Sequence, residues 1–330
     1  MAYDPNRPRV LVALGGKSSE REVSINSGRE VAVALEKTGY PVSIIDFGTG
    51  RFMQIPELDN IEKDSKKLPQ VVNYPLTDIV RHFELVFIAM HGKFGEDGLL
   101  QGLFDEIGIK YVGSGKTSSA LALDKRFSKM IMRSNDIPTP EYEIISSPEG
   151  KTKIGFPVVV KPADQGSSIG VTICENEADF EVGKKEAFKY SEKAISEKYV
   201  AGKEISVPVL EKSAGKPEAL PVIEIVPKVK FFNYQAKYDS STEETVPARI
   251  PGELTKQAQE LALKTHLAHE ARHFSRVDMI LADDNKISVL EINTIPGLTP
   301  KSLFPKSARA AGYDFNRLVD HLVKISIKTD

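Results

Sequence analysis

Cysteine, surplus charge and long apolar runs are all scarce in this sequence of 330 residues. The single cysteine, Cys174, excludes an intrachain disulfide and is typical of a reducing compartment. The 44 basic and 46 acidic residues leave a formal net charge of -2, which gives no support to a nucleic-acid or anionic-membrane partner. No apolar run approaches the ~20 residues of a membrane span, and residues 1–8 lack the pattern of a signal peptide. We therefore expect a cytoplasmic enzyme or binding protein.

The first third of the chain alternates predicted strands with predicted helices. Residues 10–14 are continuously apolar, as in a strand that is buried on both faces. A helix is predicted to follow as far as Lys37, opened by a capping box between Ser19 and Glu22. Further strands are predicted at residues 42–46 and 85–90. This alternation indicates a parallel α/β sheet.

The rest of the chain has a different, α+β character. A helix predicted over residues 117–135 breaks near Asp124, and short strands dominate from residue 157 onward. The polar and aromatic stretch at residues 227–251 is long for a connection. Connections of that length are usually functional lids or disordered segments.

Near the C-terminus, a predicted β-hairpin carries the strongest chemical signal. Two apolar strands, 276–281 and 287–292, are separated by a turn-forming cluster. If the turn falls on Asp284-Asn285, counting outward places Asp278 opposite Glu291. Two carboxylates paired across a ladder repel each other unless a positive charge compensates them.

The same count places Arg276 opposite Asn293, on the face that carries both acids. The opposite, apolar face is predicted to carry Val277, Met279, Leu281, Leu290 and Ile292. Magnesium that bridges to phosphate oxygens is the usual answer to such a carboxylate pair. The alternative is a set of solvated strand-end residues or a structural ion pair, and spacing alone does not separate the two.

Two glycine-rich loops and one acidic residue are further candidates. Residues 161–170 begin with Lys161 and continue through glycines and serines, a composition that lets backbone N–H groups surround anionic oxygens. His91 opens a loop with three glycines and two acids directly after a strand, where ligands of parallel sheets bind. Glu20, in the first turn of the first helix, could anchor an ammonium group. The alternatives are a ligand-free hairpin, a turn-capping histidine and a solvated helix cap.

In their order along the chain, these segments resemble the D-alanine–D-alanine ligases of the ATP-grasp superfamily. The resemblance covers residues 9–325. Its matching runs are residues 15–24, 91–98, 123–125, 161–170, 197–200 with Glu204, 237–238, 276–278 and 291–297. It implies an ATP-grasp fold with an N-terminal parallel α/β domain (1–113), a small central α+β lid domain (114–196) and a C-terminal α+β domain (197–330). Glycines that family members often carry before the Arg-x-Asp segment are replaced here by Glu270, His273 and Ser275.

The resemblance also implies a nucleotide site and a metal site. ATP would be bound by Lys125, Lys161, Ser168, Glu197, Lys198, Val200, Glu204 and Lys237. Two Mg2+ ions, for which Mn2+ could substitute, would be held by Asp278, Glu291 and Asn293, in agreement with the hairpin count.

For the amino-acid substrates, the resemblance implies a third set of residues. Glu20 would hold the ammonium group of the first D-alanine, with His91 near it, and Ser302 and Leu303 would receive the carboxylate of the second. Arg276 and the Gly297 N–H would stabilise the oxyanion. Ser167 and Tyr238 would close the lid together with Glu20.

The implied activity is ATP-dependent formation of D-alanyl-D-alanine through an acyl phosphate, for peptidoglycan precursors of the cell wall. A homodimer is implied as well. The first alternative is another carboxylate–amine or carboxylate–alcohol ligase of the superfamily, for example of the D-alanine–D-lactate type. A nucleotide-binding protein without catalysis would lack the metal or oxyanion residues, all of which are present. A dinucleotide oxidoreductase would need a Gly-x-Gly-x-x-Gly after the first strand.

Overall fold

A computed structural model describes residues 6–227 and 242–329 and contains three β-sheets. The first sheet has the order β3-β2-β1-β4-β5 and is parallel except for β3. Its strands are β1 (Val10–Leu14), β2 (Val42–Asp46), β3 (Arg51–Met53), β4 (Leu85–Ile88) and β5 (Lys110–Val112). Its helices are α1 (Arg21–Lys37), α2 (Leu76–His82) and α3 (Leu99–Glu106), and short 3-10 segments lie at Ile55–Asn60 and Ser65–Lys67. The predicted parallel sheet is confirmed.

The strand order of this sheet reverses at its central strand. The chain runs from β1 outward to β2, then returns to place β4 on the other side of β1. Loops that leave the carboxyl ends of two such strands diverge and open a crevice, which is the usual ligand site of parallel sheets. The two loops here begin at Gly15 and at Ala89, so they carry Glu20 and His91.

Three helices and a four-stranded antiparallel sheet form the middle of the chain. They are α4 (Lys116–Leu123), α5 (Lys125–Ser134), β6 (Tyr142–Ile145), β7 (Val158–Pro162), β8 (Thr172–Cys174), α6 (Glu177–Ala187) and β9 (Ala194–Lys198). The predicted helix break is confirmed at Asp124, which has extended backbone and accepts a hydrogen bond from the Arg126 N–H. A strand predicted for residues 169–173 begins only at Thr172, because the N–H groups of Ile169 and Val171 donate to the Gly166 and Ser168 carbonyls within turns.

The third sheet is antiparallel and follows the order β13-β12-β10-β14-β15, with β11 paired to β10. Its elements are β10 (Gly202–Ser213), β11 (Lys216–Ala219), β12 (Ile223–Pro227), β13 (Thr242–Thr245), α7 (Gly252–Ala268), β14 (Phe274–Ala282), β15 (Ile287–Asn293), α8 (Leu303–Ala310) and α9 (Phe315–Lys328). Residues 242–245 of the predicted lid stretch therefore form a strand. Helices α8 and α9 complete the core of the first sheet, where Leu318 and Leu322 cluster with Val10 and Phe87. The three predicted domains stay a prediction.

The β14–β15 hairpin pairs Asp278 with Glu291 and Arg276 with Asn293, as predicted. The predicted turn is nevertheless wrong. Ala282 bonds to Lys286, so three residues form the loop instead of two, and Asn285 takes the left-handed conformation with φ of 66°. A β-bulge between Asp278 and Met279 then restores the predicted pairing. Two one-residue deviations cancel at the end of the hairpin that carries the acids.

Because of the bulge, the apolar face of the hairpin carries Val289 in place of the predicted Leu290. Val289 pairs with Met279 and is fully buried in the core of this sheet, whereas Leu290, which was predicted for that face, is only partly buried. The face towards α7 consists of Val277, Met279, Leu281, Ile287, Val289 and Ile292.

Helix α7 ends in a Schellman motif without its usual glycine. The Ala271 N–H donates to the His266 carbonyl and the Glu270 N–H to the Leu267 carbonyl, the two bonds that define the motif. Glu270 occupies the left-handed position with φ of 51°, and His273 has φ of 65°. The backbone turn therefore persists where Glu270 and His273 replace glycines, at a conformational cost.

This geometry predicts that Glu270→Gly stabilises the protein. Removing the Cβ relieves the left-handed strain, so the free energy of unfolding should rise by about 0.5–1 kcal/mol. The matched control is Glu260→Gly in the interior of α7, which should lower it by about 1 kcal/mol. Urea unfolding followed by circular dichroism measures both. A Glu270→Gly variant less stable than the parent would contradict the strain argument.

Candidate active site

A cavity of about 840 Å3 lies where the three sheets meet. Its lining includes candidate residues from every region of the chain: Glu20, His91, Lys125, Ser167, Glu204, Arg276, Asp278, Glu291, Asn293, Gly297, Ser302 and Leu303. These residues are separated by up to 283 positions in sequence (303 − 20) and were predicted from separate motifs. The fold brings them to one place.

Glu20 stands at the entrance to α1. It occupies the cap position before Arg21 and not the first turn, and the predicted capping box between Ser19 and Glu22 is wrong, since the cap residue makes no side-chain cap hydrogen bond. Instead, the Glu20 N–H donates to the Ser18 hydroxyl over 3.2 Å. The Glu20 side chain is buried, so its carboxylate is held in the cavity beside the positive end of the helix dipole.

The glycine–serine loop, residues 161–170, extends to this carboxylate. The Ser167 hydroxyl donates a hydrogen bond to Glu20 Oε1, a contact between residues 147 positions apart. Two glycines make the approach possible. A Cβ on Gly92 would lie 2.6 Å from Glu20 Oε2, and one on Gly166 would lie 3.2 Å from it. Backbone therefore surrounds the carboxylate on both sides.

His91 is buried and lines the cavity. Its Nδ1 lies 3.1 Å from the Ile295 carbonyl, which can only accept, so Nδ1 carries the proton. Nε2 then accepts from the Ser27 hydroxyl over 2.9 Å. Burial lowers the pKa of His91 to about 4, which keeps the ring neutral at physiological pH. The imidazole is thus fixed in one tautomer by the protein.

Glu96, in the same loop, is a buried acid that was not singled out from the sequence. Its Oε2 accepts a hydrogen bond from the Gly92 N–H over 2.5 Å. Burial, followed by the negative charge of Glu20, raises the pKa of Glu96 well above its ordinary value. The motif of a histidine with two acids was the available signal, but it does not tell which of the acids is buried.

The Asp278 carboxylate accepts four hydrogen bonds in the cavity. Arg276 donates to both of its oxygens, from Nε over 2.8 Å and from Nη2 over 2.7 Å. Asn293 Nδ2 donates over 3.0 Å and the Ser206 hydroxyl over 2.6 Å. Ser206 was missed from the sequence, although it is a polar residue inside a predicted strand, and the β10–β14 register places it opposite Asp278.

Glu291 faces a second cation. Its Oε2 lies 3.3 Å from Lys125 Nζ, which also donates to the Gln165 carbonyl over 2.6 Å. Arg276 and Lys125 therefore compensate the carboxylate pair that the hairpin brings together. Because charges of like sign repel across a ladder, this compensation is a condition for the pairing. Lys125 also ties the hairpin to the glycine–serine loop.

The residues at this end of the hairpin fit a magnesium site. They offer two carboxylates and one amide carbonyl, which are the hard oxygen donors that Mg2+ takes, with further ligands from phosphates and water. Within residues 6–227 and 242–329, no group of three or more His, Cys, Asp or Glu side chains is arranged for a metal. In a site built from Asp278, Glu291 and Asn293, phosphate and water oxygens would complete the coordination of the ion.

Lys161 and Glu197 form part of a buried charge cluster beside the cavity. The Glu197 carboxylate forms ion pairs with both Lys161 and Lys129. Burial would raise the pKa of Glu197, but the two lysines outweigh burial and lower it. Burial also lowers the pKa of Lys129 to about 8, against the opposing charge of Glu197. Lys129 was missed, although it lies four residues after Lys125 on one helix face.

The remaining nucleotide candidates are dispersed around this cluster. Lys198 Nζ donates to the Gly155 carbonyl over 2.7 Å, and Val200 follows β9 in a partly buried position. Ser168 lies in the glycine–serine loop, and Glu204 lies on β10 and lines the cavity. Ser168, Lys198 and Val200 are not among the lining residues of the cavity, nor are Lys161 and Glu197.

The N-terminus of α8 forms another wall. Ser302 is the cap residue before Leu303. Its hydroxyl accepts from the Thr299 N–H over 3.2 Å, and a Cβ on Gly297 would lie 3.0 Å from it. Backbone N–H groups at such a terminus favour an anion.

The candidates Lys237 and Tyr238 lie outside the described residues.

The parallel crevice, the two antiparallel sheets and the charged cavity between them define an ATP-grasp ligase. The family models for the N-terminus and the C-terminus of D-Ala–D-Ala ligase match residues 9–114 and 130–324. The chain belongs to the D-alanine–D-alanine ligase family. The resemblance seen in the sequence is confirmed.

Relatives of this family are similar over nearly their full length. The D-alanine–D-alanine ligase of Desulforudis audaxviator is 41% identical over 96% of this chain and 98% of its own. That of Halalkalibacterium halodurans is 36% identical over 97% and 99%.

Solved structures agree with this assignment. The ATP complex of the D-alanine–D-alanine ligase from Bacillus anthracis has a TM-score of 0.78 at 30% identity, over 97% of this chain and 98% of that one. The VanG D-Ala:D-Ser ligase from Enterococcus faecalis has a TM-score of 0.81 at 29% identity, over 97% of this chain and 100% of that one.

In the described part of the chain, no helix has the length and apolar character to cross a membrane.

The hydrogen bonds of His91 predict that its ring stays neutral, protonated on Nδ1, from pH 5.5 to pH 8. Nitrogen-15 NMR of histidine-labelled protein measures this directly, and the His91→Gln variant identifies the signal. The exposed-site value of about 6.5 for a histidine is the reference. A titration midpoint of His91 between pH 6 and pH 7 would contradict the assigned tautomer and the dominance of burial.

Proposed function

We propose that this chain joins two D-alanines to D-alanyl-D-alanine in an ATP- and magnesium-dependent reaction that supplies peptidoglycan precursors. The observation that carries the proposal is the shared cavity. It is lined by the buried Glu20 carboxylate, by the N-terminus of α8 and by the compensated carboxylate pair of Asp278 and Glu291. This arrangement matches two amino acids and a nucleotide triphosphate by charge.

The first step in this proposal is activation of one D-alanine. Glu20 holds its ammonium group, so that its carboxylate points towards the nucleotide phosphates and attacks the γ-phosphoryl group. Lys125 and Lys161 offset the negative charge of the phosphates, and the reaction is accelerated mainly by positioning and electrostatics. The products are an acyl phosphate and ADP.

The second step is transfer of the acyl group. The second D-alanine lies with its carboxylate at the α8 N-terminus, near Ser302 and Leu303, and its amine attacks the acyl carbon. Arg276 uses Nε and Nη2 for Asp278. Its Nη1 is therefore the nitrogen assigned to the developing oxyanion, together with the Gly297 N–H. Inorganic phosphate then leaves.

Two Mg2+ ions, when bound, would supply charge neutralisation for the transferring phosphoryl group. The residues proposed to hold them are Asp278, Glu291 and Asn293. The four hydrogen bonds received by Asp278 fix the direction of its carboxylate, which is the usual role of partners around a metal ligand.

Closure over the acyl phosphate is the proposed role of Ser167, with Tyr238 from the predicted lid at residues 227–251. An acyl phosphate hydrolyses readily, so exclusion of water protects it. The hydrogen bond of Ser167 to Glu20 supports this role. Lys237 is proposed to reach the phosphates from the same lid.

A cytoplasmic location and a homodimer are proposed from the family resemblance alone, and light scattering after size-exclusion chromatography tests the dimer.

A second candidate function is ligation of D-alanine to a different second substrate. The observation that favours it is the similarity to the D-Ala:D-Ser ligase from Enterococcus faecalis. Both candidates take D-alanine as the first substrate, and they differ in the substrate that is proposed to lie at the N-terminus of α8.

We expect D-alanine to stimulate ATP-dependent phosphate release and D-alanyl-D-alanine to be the main product. The measurement is phosphate release over a panel of D-alanine, D-serine, D-lactate and L-alanine, with products identified by mass spectrometry. Preferential incorporation of D-serine or D-lactate as the second substrate favours the alternative. Absence of D-alanine-dependent phosphate release contradicts both.

The hairpin chemistry predicts that Asp278→Asn or Glu291→Gln lowers kcat by at least about 10²-fold, with a raised magnesium requirement. Asp284→Asn is the matched control, because Asp284 is an exposed acid in the same hairpin, paired with Lys286. Its kcat should equal that of the parent. Steady-state rates over a magnesium titration measure the three variants, and near-normal rates at saturating magnesium would remove Asp278 and Glu291 from the site.

A further inference from the structure

A buried cluster of two lysines and one glutamate includes two of the nucleotide candidates, Lys161 and Glu197, together with Lys129. Glu197, on β9, forms ion pairs with Lys161 of β7 and with Lys129 of α5. The side chains of all three are at least nine-tenths buried. The cluster carries a net charge of about +1, because one lysine is enough to neutralise Glu197 and the second is in excess.

The two lysines have different access to a ligand. The Lys161 side chain is 9% exposed, at the point where the glycine–serine loop begins. The Lys129 side chain is 0% exposed. Lys129 Nζ donates to the Thr139 hydroxyl over 2.7 Å and lies 5.6 Å from the centre of the Tyr142 ring. Lys161 can therefore turn to a phosphate, whereas Lys129 is confined to the interior.

This difference matters when a nucleotide arrives. If Lys161 were the sole partner of Glu197, its move to a phosphate would leave a buried carboxylate without a counter-charge, which is strongly unfavourable. With Lys129 present, Glu197 keeps one cation throughout. The cost of releasing Lys161 is then reduced to the loss of one of two ion pairs.

We propose that Lys129 is a positioning residue for ATP, which keeps Glu197 neutralised and thereby makes the Lys161 ammonium group available to the nucleotide phosphates. Lys129 itself touches no substrate. This inference rests on the proposed function, because it takes ATP as the ligand and Lys161 as its phosphate contact.

The test is the affinity of the Lys129→Met variant for ATP and for adenosine, measured by calorimetry with magnesium and without D-alanine. In this variant Glu197 retains Lys161, so Kd for ATP should rise by about tenfold or more. Kd for adenosine, which has no phosphates, should change by less than about twofold. A structural defect would weaken both ligands alike. Should Lys129→Met fold too poorly for calorimetry, Lys129→Gln, whose amide can still donate to Thr139, carries the same test.

Lys184→Met is the matched control. Lys184 is equally buried in the same region, donates to the Gly150 carbonyl over 2.6 Å and pairs with Glu181 on α6, away from the cavity. Its loss should lower the melting temperature and leave Kd for ATP at the parent value. Weaker ATP binding by Lys184→Met of the same size as that of Lys129→Met would overturn the proposal.

The double variant Lys129→Met with Glu197→Gln tests the charge argument itself. Removing the carboxylate releases Lys161, so the double variant should bind ATP more tightly than Lys129→Met. Equal or weaker binding would overturn the proposal, as would parent-like ATP affinity of Lys129→Met. These readouts need no turnover. A parent protein that binds ATP but releases no phosphate with D-alanine would therefore contradict the proposed function and leave this inference standing.

Discussion

The candidate site depends on compensation of two carboxylates that the β14–β15 hairpin places side by side. Arg276 holds Asp278, and Lys125 lies 3.3 Å from Glu291. Lys125 in turn donates to the Gln165 carbonyl, in the same loop whose Ser167 hydroxyl donates to Glu20. A continuous polar connection therefore crosses all three sheets. The same contacts link the C-terminal hairpin to Glu20 in the N-terminal crevice.

Much of this arrangement could be predicted from the sequence, because strand alternation and loop composition are local signals. The parallel crevice, the helix break at Asp124 and the pairing of Asp278 with Glu291 all followed from them. The pairing was right although its turn was wrong. A three-residue loop moved the register by one, and a bulge moved it back. Nothing in an alternating apolar pattern specifies a bulge, since it depends on packing against the neighbouring sheet.

The site residues that the sequence analysis did not predict were missed for one common reason. Lys129, Ser206 and Glu96 are buried polar groups whose roles are set by partners distant in sequence, such as Glu197 for Lys129 and Asp278 for Ser206. A lysine in an amphipathic helix is ordinarily solvated, so burial of Lys129 is evident only after β7 and β9 are placed beside it. Glu270 and His273 show that a local signal can also mislead. Both residues keep the left-handed backbone conformation, although neither is the glycine that usually occupies such a position.

The backbone around Glu20 has a consequence for inhibitor resistance. An inhibitor that binds the Glu20 carboxylate would lie next to Gly92 and Gly166, where even one added carbon would approach the same oxygen to 2.6 Å or 3.2 Å. Substitutions that block such a compound from these two positions would also displace the carboxylate. At this wall of the cavity, substitutions that exclude a drug would therefore also disturb the carboxylate proposed to hold the first substrate.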